Sequence, residues 1–300
     1  MFDFDRDNET AALITLLRQG DRPWHHYAEL VEAAGSAIAV LRGDYRDPDL
    51  PPTLFETRPI AFDEDLGNVI AELRAWHTEG LKTVTVLDRD YPRNLRTIHN
   101  RPPVLFIRGA LEERDDAAVA IVGTRNPSSA GRAEAAAVAQ HVSEAGYTIV
   151  SGLAAGIDAV AHRTALDLDA RTIAVIGTGI RRAYPLENQH LQEEIADRGA
   201  VISQFWPDAP PTKRSFPMRN IVMSGLALAT VVVEASDRSG ARMQARFALE
   251  HGRPVFLLKR LLEYEWATRY ASRPGTYVVD SGEEIVEHVA RFSELDGLRV

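Results

Sequence analysis

From residue 117 onward, short apolar runs alternate with longer stretches of helical periodicity. The runs at 119–122, 148–150, 172–176, 200–202, 230–233 and 255–258 are almost continuously apolar, the pattern of strands buried on both faces. Between them, residues 129–145, 155–166, 186–196, 219–226 and 240–251 place apolar side chains at helical spacing. This alternation predicts an α/β fold with a doubly wound, mostly parallel sheet covered by helices on both faces. The binding crevice of such a sheet lies at the carboxyl ends of its strands.

The first part of the chain has a different rhythm. Residues 11–17, 27–34 and 69–76 carry helix-period apolar positions, and a proline-rich stretch from Asp47 to Pro52 reads as a turn or linker. A small N-terminal helical domain over residues 1–78 is expected, with the sheet domain over 79–300. Residues 83–87 alternate like a strand, and residues 102–109 form a second short strand closed by Gly109. There is no internal repeat.

Composition narrows the function classes. The 300 residues are 45% hydrophobic and 26% charged, ordinary for a globular protein. No apolar run approaches the roughly 18–20 residues of a membrane helix, and the acidic start MFDFDRDNET does not read as a secretory signal, so no membrane partner and a cytoplasmic location are expected. The absence of cysteine excludes disulfides, thiol catalysis and cysteine-ligated zinc. A net charge of −9 excludes a uniformly basic nucleic-acid binder but not a local basic groove.

The chemistry concentrates at the expected strand ends. After the first strand comes Gly123-Thr124-Arg125-Asn126-Pro127-Ser128-Ser129, where glycine permits close approach, Ser128 or Ser129 can cap the next helix, and Arg125 can meet a phosphate. A tight turn with a solvated Arg125 fits the same residues. After the second strand, Ser151-Gly152-Leu153-Ala154-Ala155-Gly156-Ile157-Asp158 can turn backbone amides toward an anion. His162 shares a helix face with Asp158; a metal pair lacks a third ligand nearby, and a packed histidine is the preferred reading. Arg181 and Arg182 follow the third strand and suit either phosphate or solvent. Lys213-Arg214-Ser215-Phe216-Pro217-Met218-Arg219-Asn220 is the most telling segment. Its cations offer phosphate contacts, and Pro217 is expected to hold the preceding backbone extended and display Phe216 for base stacking. Glu234 ends a buried strand and is expected to clamp a neighbouring loop or a cation such as Arg219; Ser239 and Gly240 open the next helix.

These blocks together resemble the DprA/Smf family, the DNA-processing proteins of bacterial transformation. The resemblance rests on Val122-Gly123-Thr124-Arg125, on Ser151-Gly152-Leu153-Ala154-x-Gly156-Ile157-Asp158-x-x-Ala161-His162 and on Phe216-x-x-Arg219-Asn220. Tyr184-Pro185, Val233-Glu234-Ala235, Ser239-Gly240 and Gly252-Arg253 extend it, over roughly residues 70–258. It implies an extended Rossmann-like domain that binds single-stranded DNA, forms a homodimer and helps load a RecA-type recombinase. Arg125, Lys213 and Phe216 look like the family's phosphate and base contacts. With the strand-end residues read above, the candidate interface is Arg125, Ser128, Ser151, Gly152, Arg181, Lys213, Phe216, Arg219, Asn220 and Gly240, with no cofactor, no metal and no catalytic residue expected. The chain departs from the family pattern at Gln204, Ile221, Gln244 and Lys259-Arg260, and no C-terminal winged helix is expected. These departures leave room for a phage-defence role, or for an antitoxin-like protein that holds a toxin or effector partner. A third reading is a nucleotide sensor or phosphoribohydrolase-like enzyme using Glu234, whose usual Pro-Gly-Gly motif is missing here.

Overall fold

The computed structural model describes residues 4–20, 22–45, 62–237 and 239–295. The proline-rich turn expected at 47–52 lies outside the described residues. The chain divides into two compact units, Met1–Tyr91 with His99–Phe106, and Pro92–Ile98 with Ile107–Val300. The expected boundary after residue 78 therefore falls inside the first unit.

The first unit contains helices α1 (Phe4–Gln19), α2 (Trp24–Ala34), α3 (Ala37–Arg42) and α4 (Phe62–Thr78), strand β1 (Lys82–Thr85) and the start of strand β2 (Val104–Gly109). Ala11, Leu13, Ile14, Ala28 and Val31 are buried between the helices. The short α3 was not legible as a periodic run. It is held by Glu9, whose carboxylate accepts from the Ser36 hydroxyl and the Ala37 amide, both at 2.6 Å. The Ala37 amide is an orphan donor at a helix start, which an acidic side chain satisfies, and Ser36 is the N-cap.

The second unit opens with a single turn, α5 (Arg93–Arg96), and is otherwise built on parallel strands. These are β3 (Ala118–Val122), β4 (Thr148–Ser151), β5 (Thr172–Val175), β6 (Ala200–Ser203), β7 (Ala229–Val232), β8 (Val255–Leu258) and β9 (Thr276–Val279). Their order is β6-β5-β4-β3-β7-β8-β9, each pair in parallel register. Six of the seven were legible as apolar runs; β9, with three half-buried residues of four, was not. In β3, Val119 and Ile121 face a core shared with α6 (Ser129–Glu144), α7 (Ile157–Asp167) and α12 (Gly282–Leu295). The other face is covered by α9 (Ser215–Leu226) and α10 (Gly240–Glu250). Helix α8 (Gln189–Arg198) follows a separate 3-10 turn at Leu186–Asn188, so the single helix expected over 186–196 is two elements. After β8 come a 3-10 turn at Lys259–Glu263 and α11 (Glu265–Ala271), whose Trp266 is fully buried and donates to the Ala235 carbonyl.

The strand order decides where a ligand can sit. From β3 the chain winds outward through β4, β5 and β6. It then returns to place β7 on the opposite side of β3, at Val119↔Ala229 through Val122↔Val232. The winding direction reverses between β3 and β7, and loops leaving those two strands must diverge, opening a crevice.

Candidate nucleic-acid interface

A cleft of about 460 Å³ opens at that reversal point. Its walls come from Gly123, Thr124 and Arg125 after β3, from Phe216 and Arg219 on α9, and from Ser239 and Gly240 at the start of α10. Gly123 is required: a Cβ there would stand 2.4 Å from the Ile157 side chain. Gly240 faces open space, with nothing within 4 Å of a Cβ built on it. Ser239 caps α10, its hydroxyl accepting from the Ala241 amide at 3.2 Å.

Phe216 does not sit on an extended segment. Helix α9 begins at Ser215, whose amide donates to the Thr212 hydroxyl at 3.0 Å while the Thr212 amide donates to the Ser215 hydroxyl at 3.1 Å. Pro217 falls in the first helical turn, where no intrahelical N–H is needed and the ring's fixed φ suits the helix. This reciprocal cap outweighs the extended bias that proline gives its predecessor. Phe216 is half-buried. Its ring lies 5.4 Å from the Tyr184 ring between centroids, and the Arg125 guanidinium is 5.5 Å from its centroid. A Cβ at Gly177 would meet the Phe216 ring at 2.8 Å, so the bare backbone after β5 is what seats the ring. Arg125 and Lys213 are exposed.

Other expected contacts are placed differently. Ser151 is fully buried, and its hydroxyl donates to the Ile121 carbonyl at 2.6 Å. Gly152 is covered by Arg219, whose guanidinium would stand 1.5 Å from a Cβ at that position. The anion that this loop's amides meet is the chain's own Asp158, which accepts from the Ala154 amide at 3.3 Å. Burial raises the Asp158 pKa, opposed by Arg219, by the Ala154 and Gly152 amides and by Arg125. Arg219 is 7% exposed and donates to the Val175 carbonyl at 2.8 Å. Desolvation lowers its pKa against the attraction of Asp158. It is the charged floor of the cleft. Asn220 is buried too but lines the cleft beside Arg219, and Gln244, oriented to satisfy both ends of its amide, donates to the Asn220 carbonyl at 3.1 Å. Arg181 is exposed, pairs with Asp208 at 2.6 Å and is not part of the cleft wall.

Glu234 clamps a loop, not Arg219. Its carboxylate accepts from the Ser128 hydroxyl at 2.7 Å and the Ser128 amide at 3.2 Å. Arg260, which also pairs with Glu134 at 2.9 Å, approaches Glu234 at 3.8 Å. The Ser128 hydroxyl in turn accepts from the Gly131 amide at 3.0 Å and caps α6. The loops after β3, β7 and β8 are thereby tied together. Glu234→Ala is expected to lower stability by about 2 kcal/mol, since bonds to a charged acceptor are lost; the urea midpoint measures it, and an unchanged midpoint would remove the clamp.

His162 is the packed histidine expected from the sequence. It is fully buried, with Nδ1 2.7 Å from the Thr172 hydroxyl. That hydroxyl donates to the Ile149 carbonyl, so Nδ1 carries the proton toward Thr172. Among the described residues no group of three or more His, Asp or Glu could hold a metal ion. Sequence reasoning passed over Tyr184 and Arg260 as contributors; Tyr184 carried a signal, an aromatic before proline at a strand end, whereas the Arg260 pairing depends on loop packing that no local pattern encodes.

Comparison with known proteins follows the same lines. The family model for DNA recombination-mediator protein A matches residues 82–290. The DNA processing protein DprA of Bacillus subtilis is 34% identical over 220 residues, covering 72% of this chain and 74% of that protein. Protein Smf of a Synechocystis strain is 44% identical over 175 residues, 57% of this chain but 44% of that protein. The X-ray structure of DprA from Streptococcus pneumoniae superposes with a TM-score of 0.71 at 29% identity, covering 94% of this chain and 97% of that one. A DprA structure from Helicobacter pylori, described for its single-stranded DNA binding mode, superposes at 0.62 with 26% identity, covering 71% of this chain and 96% of that one. The match of sequence over most of the sheet unit, and of fold over nearly the whole chain, establishes that this chain belongs to the DNA recombination-mediator protein A family, the DprA/Smf proteins.

Proposed function

We propose that this chain binds single-stranded DNA in the crevice between β3 and β7 and acts by binding, delivering the strand to a RecA-type recombinase. The observation that carries the reading is the Arg125–Phe216 pair at the cleft wall, a guanidinium 5.5 Å from a half-exposed ring, with Lys213 exposed at the head of the same helix. A strand needs positive charge for its phosphates and an aromatic surface for its bases, and both are present within one cleft. The related Helicobacter pylori protein supports the choice of ligand. Glu234, the nearest candidate acid or base, is engaged by Ser128 and Arg260 and does not line the cleft, which disfavours an enzymatic reading. The proposal includes a homodimer as the working state.

Titration of fluorescent oligo-dT at two salt concentrations tests it. Each phosphate contact contributes about 0.7 to the log–log salt slope, so two or three contacts weaken binding roughly tenfold between 50 and 200 mM salt. Absence of binding at the lower salt would overturn the reading.

A further inference from the structure

A second depression, of about 310 Å³, lies on the far side of the loop after β3. Arg125 lines both it and the crevice. Two further arginines reach into it, Arg132 from the first turn of α6 and Arg163 from α7. Both are exposed, and neither makes an ion pair or hydrogen bond through its side chain among the described residues. Among the described residues, the one carboxylate on its rim is Glu187. Three guanidiniums against one acid give a local excess of positive charge on a chain whose net charge is −9. Gly156 and Ala159 keep one wall low. Gly156 takes a left-handed φ of 83°, and a Cβ there would stand 2.4 Å from the Thr124 carbonyl, so position 156 cannot carry a side chain.

Like-charged guanidiniums around a shared hollow, two of them without side-chain partners among the described residues, are unfavourable for the protein alone and favourable once a polyanion neutralises them. A single nucleotide could be held by the crevice; a groove continuing past Arg125 calls for a ligand with successive phosphates. We propose that the phosphodiester backbone of the bound strand leaves the crevice over Arg125 and runs along Arg132 and Arg163, which act as phosphate contacts outside the base-binding region. This rests on the single-strand reading of the crevice and adds the route of the strand beyond it.

The test compares a short and a long oligo-dT, about 4 and about 12 nucleotides, on wild type, on R132A/R163A and on Phe216→Ala. The double variant is expected to bind the long strand roughly tenfold more weakly, with a salt slope shallower by about 1.4, and to bind the short strand as wild type does. Glu187→Gln, which removes the opposing charge, is expected to tighten the long strand alone. A double variant indistinguishable from wild type on both lengths, while Phe216→Ala still weakens both, would overturn the track and leave the crevice reading intact. If Phe216→Ala also leaves both lengths unchanged, the crevice reading falls with it.

Discussion

Phe216→Ala is expected to reduce affinity for oligo-dT by about 5- to 150-fold, because stacking one base on an aromatic ring contributes roughly 1–3 kcal/mol. The ring sits among Gly177, Tyr184 and Arg125, so truncation also removes packing. Phe216→Leu separates the two effects. Leucine keeps apolar bulk near Gly177 but offers no π face, so it is expected to fold like wild type and bind almost as poorly as alanine. Phe216→Tyr keeps the ring and is expected to bind like wild type. Fluorescence anisotropy with a thermal melt on each variant measures both properties. Wild-type binding by both the alanine and leucine variants would show that Phe216 is a packing residue only and would overturn the crevice reading.

Acid sensitivity is the second large effect. Burial, with the charge of Arg219 second, pushes the His162 imidazole down to about 3 from its ordinary 6.5, opposed by the Ser151 backbone. The folded chain thus holds this histidine neutral while the unfolded chain protonates it below about 6.5. Stability from this group is fully present above 6.5 and is lost as the pH falls toward 3. Between pH 7 and pH 5 the loss is about 2 kcal/mol, from the 1.4 kcal/mol that each pH unit carries when one proton separates the states. Asp158 acts with the opposite sign: its raised pKa makes its charge a burden at neutral pH that acid relieves. The comparison is therefore made against His162→Gln, which keeps Asp158 and removes only the imidazole. Urea midpoints at pH 7 and 5 should fall more for wild type than for the variant. Parallel falls would assign the acid sensitivity elsewhere.

The parallel sheet was legible because its strands are buried on both faces. Val119–Val122 and Val255–Leu258 read as apolar runs without ambiguity, and both are strands. The order of the strands was not legible, since register between β3 and β7 is a contact across more than a hundred residues. That order is what makes the loops after these two strands the crevice. Within the crevice, residue types were readable and side-chain directions were not. Arg125 and Phe216 do meet. Arg219 carries the same charge as Arg125, but Gly152 leaves a slot that only tertiary packing reveals, and the guanidinium fills it. Ser151 and Ser128 were both placed in the candidate interface, yet Ser151 is turned inward to the Ile121 carbonyl and Ser128, which caps α6 as expected, is taken by Glu234. The extended backbone expected before Pro217 failed because the Thr212–Ser215 pair caps a helix there.

The Glu234 clamp has a thermodynamic consequence. Ser128 donates through both its amide and its hydroxyl to a carboxylate approached by a third loop, so the loop that carries Gly123, Thr124 and Arg125 into the crevice wall is anchored at its far end before any ligand arrives. On the proposed single-strand reading, the conformational entropy lost on association then falls mainly on the strand. Such a crevice favours strands that surrender their own base stacking readily. Preference among sequences would arise from the stiffness of the nucleic acid, with no base edge needing to be read.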